Sequence, residues 1–166
     1  EISLEIFERL CHSDTLKDWD GLGLAVQAYQ KRCLYLIDHL KDLARSSGRK
    51  IQVRLVKGAY WDTEIKHSQV EGVPDFPVFT RKLNTDLSFL ACARELLENR
   101  DLFYPMLATH NAHSVMSCLE LAGDYDKGDF EFQRLHGMGE ALYDILRHDI
   151  VVPVSIYAPV GTHKDL

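Results

Sequence analysis

The sequence lacks long runs of any one residue class, and this excludes several kinds of protein. Its longest apolar stretches are broken by charged residues before about 18 positions, which predicts no transmembrane helix. No basic run exceeds Gly48-Arg49-Lys50 and the net charge is −6, so we expect no nucleic-acid partner. The first residues, Glu1-Ile-Ser-Leu-Glu, carry no basic-then-apolar leader. We therefore expect a cytosolic protein.

Motifs for metal binding and nucleophilic catalysis are also missing. His110 and His136 follow strand candidates, and a metal-dependent barrel hydrolase is one interpretation of them. They lack an HxH partner, however, so we predict no metal site. No GxSxG elbow marks a serine nucleophile. Since the cysteines form no CxxC pair, we expect neither a zinc site nor a disulfide framework, but reduced thiols in the core at Cys11, Cys33, Cys92 and Cys118.

Apolar strand candidates alternate with amphipathic helices along the 166 residues. The strand candidates are 22–29, 51–56, 103–109, 130–133 and 154–158. The helix candidates lie around 33–48, from Thr80 onward, over 114–122 and over 140–147, and a helical or irregular excursion occupies 62–79. We expect two further helical faces, one from Ile2, Ile6 and Leu10 at the start, and a buried stripe in the Thr80 helix from Leu83, Leu87, Leu90 and Leu97.

The alternation predicts an α/β fold built from repeated strand and helix units. A (β/α)8 TIM-like barrel has about 250 residues in eight units, or roughly 31 per unit, so this chain holds about five of them. A doubly wound sheet has the same alternation. That fold is disfavoured here because no GxGxxG phosphate loop follows a strand. The sequence therefore predicts an incomplete barrel.

Site chemistry is concentrated where the strands end, above all in Arg54-Leu-Val-Lys-Gly-Ala-Tyr-Trp61. In a barrel the carboxyl ends of all strands converge on one face, so distant residues form one pocket. Two cations, side-chain amides and several aromatics with few carboxylates favour a flat, electron-rich, anionic ligand, and a flavin fits that description. The predicted pocket consists of Gln27, Arg54, Lys57, Tyr60, Trp61, His110, Asn111, Gln133, Leu135, His136 and Tyr157.

Structural roles are open for the same residues. Arg54 can pair with a carboxylate inside the barrel, and Tyr60 with Trp61 can close a core. Gln27 and Gln133 can be interior amides whose hydrogen bonds go to neighbouring backbone. These alternatives predict a packed interior without a ligand.

Four ordered blocks of the sequence closely resemble the proline dehydrogenase domain of the bacterial bifunctional proline utilization A family. The blocks are RLVKGAYWD at 54–62, ATHNAH at 108–113, EFQRLHGMG at 131–139 and IYAPVG at 156–161. The resemblance implies a distorted (β/α)8 barrel that binds FAD noncovalently. It also implies oxidation of L-proline to Δ1-pyrroline-5-carboxylate by hydride transfer to the flavin.

The resemblance also assigns roles to individual residues. It implies that Arg54 lies beside the flavin N5, and that Arg54, Tyr60 and Tyr157 are the catalytic group. The proline pocket is implied to be Tyr60, Leu135 and Tyr157. The FAD-binding residues are implied to be Gln27, Arg54, Lys57, Gly58, Trp61, Thr80, His110, Asn111 and Gln133.

The same resemblance places residues 1–166 in the C-terminal part of the barrel, as one partial domain with roughly its last five units. The family's earlier strands, with a substrate-binding lysine and an aspartate, and its last helix, with paired arginines, have no counterpart in this sequence. We therefore expect the isolated chain to be inactive and to self-associate through open barrel edges. A non-catalytic binding or assembly module is the alternative function.

For the longer protein, the resemblance implies further partners. Electrons are expected to pass to a membrane quinone, with peripheral association at the inner face of the membrane. NAD is expected only in a second, aldehyde-oxidising domain outside this chain.

Overall fold

The computed structural model describes residues 2–150, 152–158 and 161. The five strands are β1 Gly23–Gln27, β2 Ile51–Val56, β3 Phe103–Ala108, β4 Glu131–Leu135 and β5 Val154–Tyr157. The six helices are α1 Ile2–Cys11, α2 Cys33–Ser47, α3 Trp61–Glu71, α4 Lys82–Glu98, α5 Ala112–Ala122 and α6 Glu140–Asp149. A short 3-10 turn, Asp14–Leu16, follows α1.

The strands form one parallel sheet whose spatial order is the same as their order in the sequence, β1 to β5. A doubly wound sheet reverses its strand order at a switch point, whereas a barrel adds each strand beside the previous one. The structure therefore confirms the predicted α/β fold as an arc of a (β/α) barrel. Within the described residues, β1 and β5 each have a neighbour on one side only.

The two faces of the sheet differ in composition because successive side chains of a strand point in opposite directions. In β2 and β3 every second residue is fully buried, and the residues between them are half-buried. Helices α2 and α4 contribute Ile37, Leu40, Phe89 and Leu96 to the same core as the buried strand residues. The face that packs against the helices is the outer face, and its buried residues are Val26, Val53, Leu55, Phe103, Leu107 and Phe132. The opposite side of the sheet is the inner face.

The predicted buried stripe of α4 is wrong at two of its four positions. Leu83 is 78% exposed and Leu87 is 70% exposed, although Leu97 is buried as expected. Leu87 lies nine residues before Leu96, which places it on the opposite side of a 3.6-residue helix. The stripe that packs inward is instead Phe89, Cys92, Ala93, Leu96 and Leu97.

The predicted face of α1 is wrong as well, and some boundaries move. Ile2 and Ile6 are exposed, whereas Phe7 and Cys11, one turn apart, are buried. Helix α4 begins at Lys82, two residues after Thr80. The predicted excursion over 62–79 contains all but the first residue of the 11-residue helix α3. Residues 159 and 160, the predicted end of the last strand and part of the fourth sequence block, lie outside the described residues.

The four cysteines are buried, as the sequence predicted. Two of them meet across the interface between α2 and α4, where the Cys92 Sγ lies 3.3 Å from the Cys33 Sγ. In the part of the chain that the structure describes, no helix has the length and the apolar composition that a membrane crossing needs.

Candidate functional site

A cavity of about 770 Å³ lies at the carboxyl ends of the strands. It brings together the predicted site residues except Trp61, Thr80 and His136. Several lining residues were not predicted, among them Val56, Thr109 and Arg134. The predicted residues in its wall are Gln27, Arg54, Lys57, Gly58, Tyr60, His110, Asn111, Gln133, Leu135 and Tyr157.

Arg54 is half-buried on the inner face of β2 and is held from two sides. Its Nε donates to the Oε1 of Gln133 at 2.7 Å. Its guanidinium carbon lies 5.2 Å from the ring centre of Tyr157, within cation–π range. Among the described residues, the two Nη groups of Arg54 donate no hydrogen bond to protein. The Arg54 side chain therefore has a fixed position and free donors at the cavity.

Gln133 connects Arg54 to Glu131, a carboxylate that was not among the predicted site residues. The Gln133 Nε2 donates to Glu131 Oε1 at 2.6 Å. The other oxygen of Glu131 accepts from Ser155 Oγ at 2.9 Å and lies 3.5 Å from the Tyr104 hydroxyl. Burial, followed by the charge of Glu131, raises the pKa of Tyr104 to about 12. The strict alternation over 130–133 was the signal that places Glu131 and Gln133 on one face.

Lys57 reaches away from Arg54, toward α4. Its Nζ lies 2.5 Å from Asp86 Oδ1, and Lys82 reaches the other oxygen of the same carboxylate at 2.6 Å. The hydrogen bond from Lys57, followed by the one from Lys82, lowers the pKa of Asp86. The two predicted cations therefore differ, because Lys57 is paired with a carboxylate and Arg54 is bonded to a neutral amide.

Position 58 requires glycine because of its backbone conformation and because a neighbouring side chain leaves no room for a Cβ. Its φ of 150° lies at the limit of the region that favours glycine, and a Cβ there would lie 2.4 Å from the ring of Tyr29. The neighbouring Ala59 N–H donates to Gln27 Oε1 at 3.4 Å, a long contact across the end of β1. This loop therefore presents its backbone to the cavity without a side chain at position 58.

Trp61 and Thr80 line a second cavity of about 400 Å³, which shares Lys57, Gly58 and Lys82 with the first. The Trp61 indole N–H donates to the Phe79 carbonyl at 2.9 Å. Trp61 is the first residue of α3 and is 41% exposed, so it does not close a core. The two cavities are therefore adjacent at Lys57, Gly58 and Lys82.

His110 and Asn111 organise the end of β3 and the start of α5. The His110 Nε2 accepts from the Leu135 N–H at 2.9 Å, so this nitrogen carries no proton. Burial, followed by the positive charge of Arg134, lowers the pKa of His110. Asn111 caps α5, because its Oδ1 accepts from the Ser114 N–H at 2.9 Å. Each of the two side chains therefore has a protein contact of its own beside the cavity.

The predicted proline-pocket residues form the open part of the cavity wall. Tyr60, Leu135 and Tyr157 are 66%, 38% and 58% exposed, so Tyr60 does not fill a core formed by the residues that the structure describes. His136 is exposed and does not line the cavity. Across residues 2–150, 152–158 and 161, the His, Cys, Asp and Glu side chains form no group of three that could hold a metal ion.

Comparison with known proteins gives one consistent family. The family described as "Proline dehydrogenase" matches residues 1–166. The bifunctional protein PutA of Klebsiella aerogenes is 52% identical over 172 residues, which cover 100% of this chain and 13% of that protein. Proline dehydrogenase 1 of Bacillus subtilis (strain 168) is 30% identical over 149 residues, covering 88% of this chain and 42% of that protein.

A solved structure gives the same result in three dimensions. A mutant of proline utilization A (PutA) from Bradyrhizobium japonicum superposes with a TM-score of 0.91 at 52% identity, covering 99% of this chain and 17% of that one. The match therefore extends over nearly the whole of this chain, but this chain spans only a small part of the PutA proteins that it matches. This chain belongs to the proline dehydrogenase family.

Proposed function

We propose that this chain supplies the FAD-facing side of a barrel that oxidises L-proline to Δ1-pyrroline-5-carboxylate. In this proposal, residues 1–166 are the C-terminal part of a proline dehydrogenase barrel within a longer, PutA-like protein. The observation that carries the proposal is Arg54, which contacts Gln133 and Tyr157 and whose two Nη groups face the cavity without a hydrogen bond to any residue that the structure describes.

The residues present fit a flavin. Gly58 contributes backbone and no side chain to the cavity wall, and the Tyr29 ring packs where its Cβ would lie. Gln27 and Gln133 bring amides to the cavity wall. The adjoining cavity at Trp61 and Thr80 gives room for the rest of an extended cofactor. The FAD-binding residues in this proposal are Gln27, Arg54, Lys57, Gly58, Trp61, Thr80, His110, Asn111 and Gln133.

A bound flavin supplies the hydride acceptor, and the side chains of this chain prepare the site for it. Arg54 brings a positive charge to the cavity and stabilises negative charge that develops beside it. Tyr60, Leu135 and Tyr157 surround the space where proline is proposed to bind as the free amine. The rings of Tyr60 and Tyr157 and the side chain of Leu135 give that space an apolar wall beside the Arg54 charge.

The longer protein is proposed to have further partners. We propose a membrane quinone as the final electron acceptor, with peripheral association at the membrane, and an NAD-dependent second domain outside residues 1–166. Among the strands that the structure describes, β1 and β5 each have a neighbouring strand on one side only, which supports a further proposal, that the isolated chain self-associates and does not turn over proline.

The test uses the full-length protein. It is expected to purify with flavin, or to take up added FAD, and to show bleaching of the flavin absorbance when proline is added without oxygen. FAD binding without bleaching by proline would support the alternative of a non-catalytic binding module. Failure to bind FAD, or steady proline turnover by residues 1–166 alone, would contradict the proposal.

A further inference from the structure

Glu131 lies on the inner face of the sheet, two residues before Gln133, and both of its oxygens accept hydrogen bonds. Oε1 accepts from Gln133 Nε2 at 2.6 Å, and Oε2 accepts from Ser155 Oγ at 2.9 Å. The Tyr104 hydroxyl approaches Oε2 at 3.5 Å. The carboxylate therefore connects β3, β4 and β5 on the inner face of the sheet.

The strand register explains why Arg54 and Glu131 do not touch. Arg54 pairs with Met106 and Met106 pairs with Glu131, so the three residues form one row across the sheet. Two strand spacings separate Arg54 from Glu131, or roughly 9 to 10 Å. Gln133 lies one row nearer the cavity, and its side chain reaches both Arg54 and Glu131. It passes Met106 on the way, whose Sδ is 3.3 Å from the Gln133 Nε2.

We propose that Glu131 is a positioning residue for the site, because it sets the orientation of the Gln133 amide and thereby the position of the Arg54 guanidinium. This inference rests on the proposed function. An amide has donors on one side and an acceptor on the other, and Glu131, as an acceptor, selects the donors. The carbonyl of Gln133 is then left to accept from Arg54 Nε. A flipped amide would put donors against the guanidinium and an oxygen against the carboxylate.

The intervening amide also preserves the charge of the site. A direct ion pair between arginine and a carboxylate commonly uses two N–H groups and brings the opposite charges together. Here Gln133 accepts from the Nε of Arg54 alone, and its side chain lies between the guanidinium and the negative charge of Glu131. Arg54 is thus oriented without losing the Nη donors that the proposed flavin needs.

The experiment measures FAD dissociation constants and flavin midpoint potentials of full-length variants. Glu131→Ala removes the acceptor and is expected to weaken FAD binding about tenfold or more, since the Gln133 amide loses its hydrogen bond to a charged group. Glu131→Gln keeps a carbonyl for the Gln133 amide and is expected to stay within about threefold of wild type. Ser155→Ala, the matched control, removes another donor to the same carboxylate and is expected to bind FAD as wild type does.

The potentials separate positioning from charge. If Glu131 positions Arg54, the midpoint becomes more negative in Glu131→Ala and does not fall in Glu131→Gln. If Glu131 acts by its charge alone, both variants raise the midpoint equally, and the inference is wrong. Equal loss of FAD affinity in Glu131→Ala and Ser155→Ala would also overturn it.

Two further outcomes are distinguishable. If Glu131→Ala does not fold, Glu131→Asp keeps the charge but withdraws it by one methylene, and it is expected to weaken FAD binding in the same direction. Wild-type binding by Glu131→Asp would then contradict the inference. A wild-type protein that binds no FAD contradicts the proposed function itself, whereas an effect-free Glu131→Ala in an FAD-binding protein contradicts this inference alone.

Discussion

The outer and inner faces of the sheet use the same strands for different purposes. On β2 the outward residues Val53 and Leu55 are fully buried under the helices, whereas Arg54, between them, is half-buried and reaches the cavity. Since side chains alternate along a strand, one residue step separates the core from the site. Neighbouring substitutions on β2 are therefore expected to have unrelated effects.

The largest expected effect is on the outer face, with Leu55→Ala. Leu55 is 0% exposed, and truncation of a buried leucine lowers the free energy of unfolding by about 2–5 kcal/mol. Urea unfolding of the full-length protein, followed by flavin release, measures the change. The FAD dissociation constant of the fraction that remains folded should stay near that of wild type. A stable Leu55→Ala protein with weakened FAD binding would contradict the separation of the two faces.

The substitution of the neighbouring residue, Arg54→Met, should change the midpoint potential of the flavin and leave the stability of the fold unchanged. Loss of the ionised guanidinium should lower the flavin midpoint by tens of millivolts, since about 30 mV corresponds to 1.4 kcal/mol for two electrons. Lys57→Met is the matched control, and it should shift the midpoint less because Lys57 pairs with Asp86. Spectroelectrochemical titration of both variants with FAD bound provides the measurement. An unchanged midpoint potential in Arg54→Met would show that Arg54 does not stabilise negative charge on the flavin.

A smaller effect is expected at Tyr157, whose ring packs against Arg54 on the inner face. Tyr157→Ala removes a cation–π contact of about 0.5–2 kcal/mol and should reduce kcat/KM for proline several-fold. Tyr157→Phe keeps the ring, so any loss in that variant reports on the hydroxyl. Steady-state kinetics on proline separate these contributions. Wild-type kinetics in both variants would place Tyr157 outside the site.

The smallest expected effect concerns the pair of Asp86 and Lys57 beside the cavity. The pKa of Asp86 is lowered in the folded state, so its contribution to stability is present above the ordinary pKa of about 3.9 and disappears as pH falls through the folded value. Asp86→Asn should therefore lower stability at neutral pH by about 1 kcal/mol. The difference from wild type should narrow below about pH 4 in urea titrations.

Asp42→Asn is the matched control for that measurement. Asp42 is 82% exposed and lies 3.4 Å from Arg45, one turn along the same helix. Such a solvent-screened pair contributes little to stability, so this variant should unfold like wild type at every pH. Equal destabilisation by Asp42→Asn and Asp86→Asn would show that the partly buried position of Asp86 has no special effect.

The sequence by itself determined the strand and helix alternation, the number of units and the residues at the strand ends. These features are local, because a period of two or 3.6 residues and a glycine after a strand can be read from neighbouring positions. The pattern failed where two helical stripes competed, as in α4, where Leu83 and Leu87 are exposed and Phe89 is buried. Periodicity alone does not say which stripe has a sheet beneath it.

Only the tertiary structure decided which polar groups meet. Arg54 and Gln133 are 79 residues apart, and their bond depends on the register of three strands. The same register sets Glu131 beyond Met106, and the packing of α4 against β2 assigns Asp86 to Lys57. The sequence shows which charged residues are present, but it does not show which of them pair. Ion pairs join residues that are distant in the sequence, so the packing of the sheet and its helices determines that Lys57 pairs with a carboxylate and that Arg54 bonds to a neutral amide.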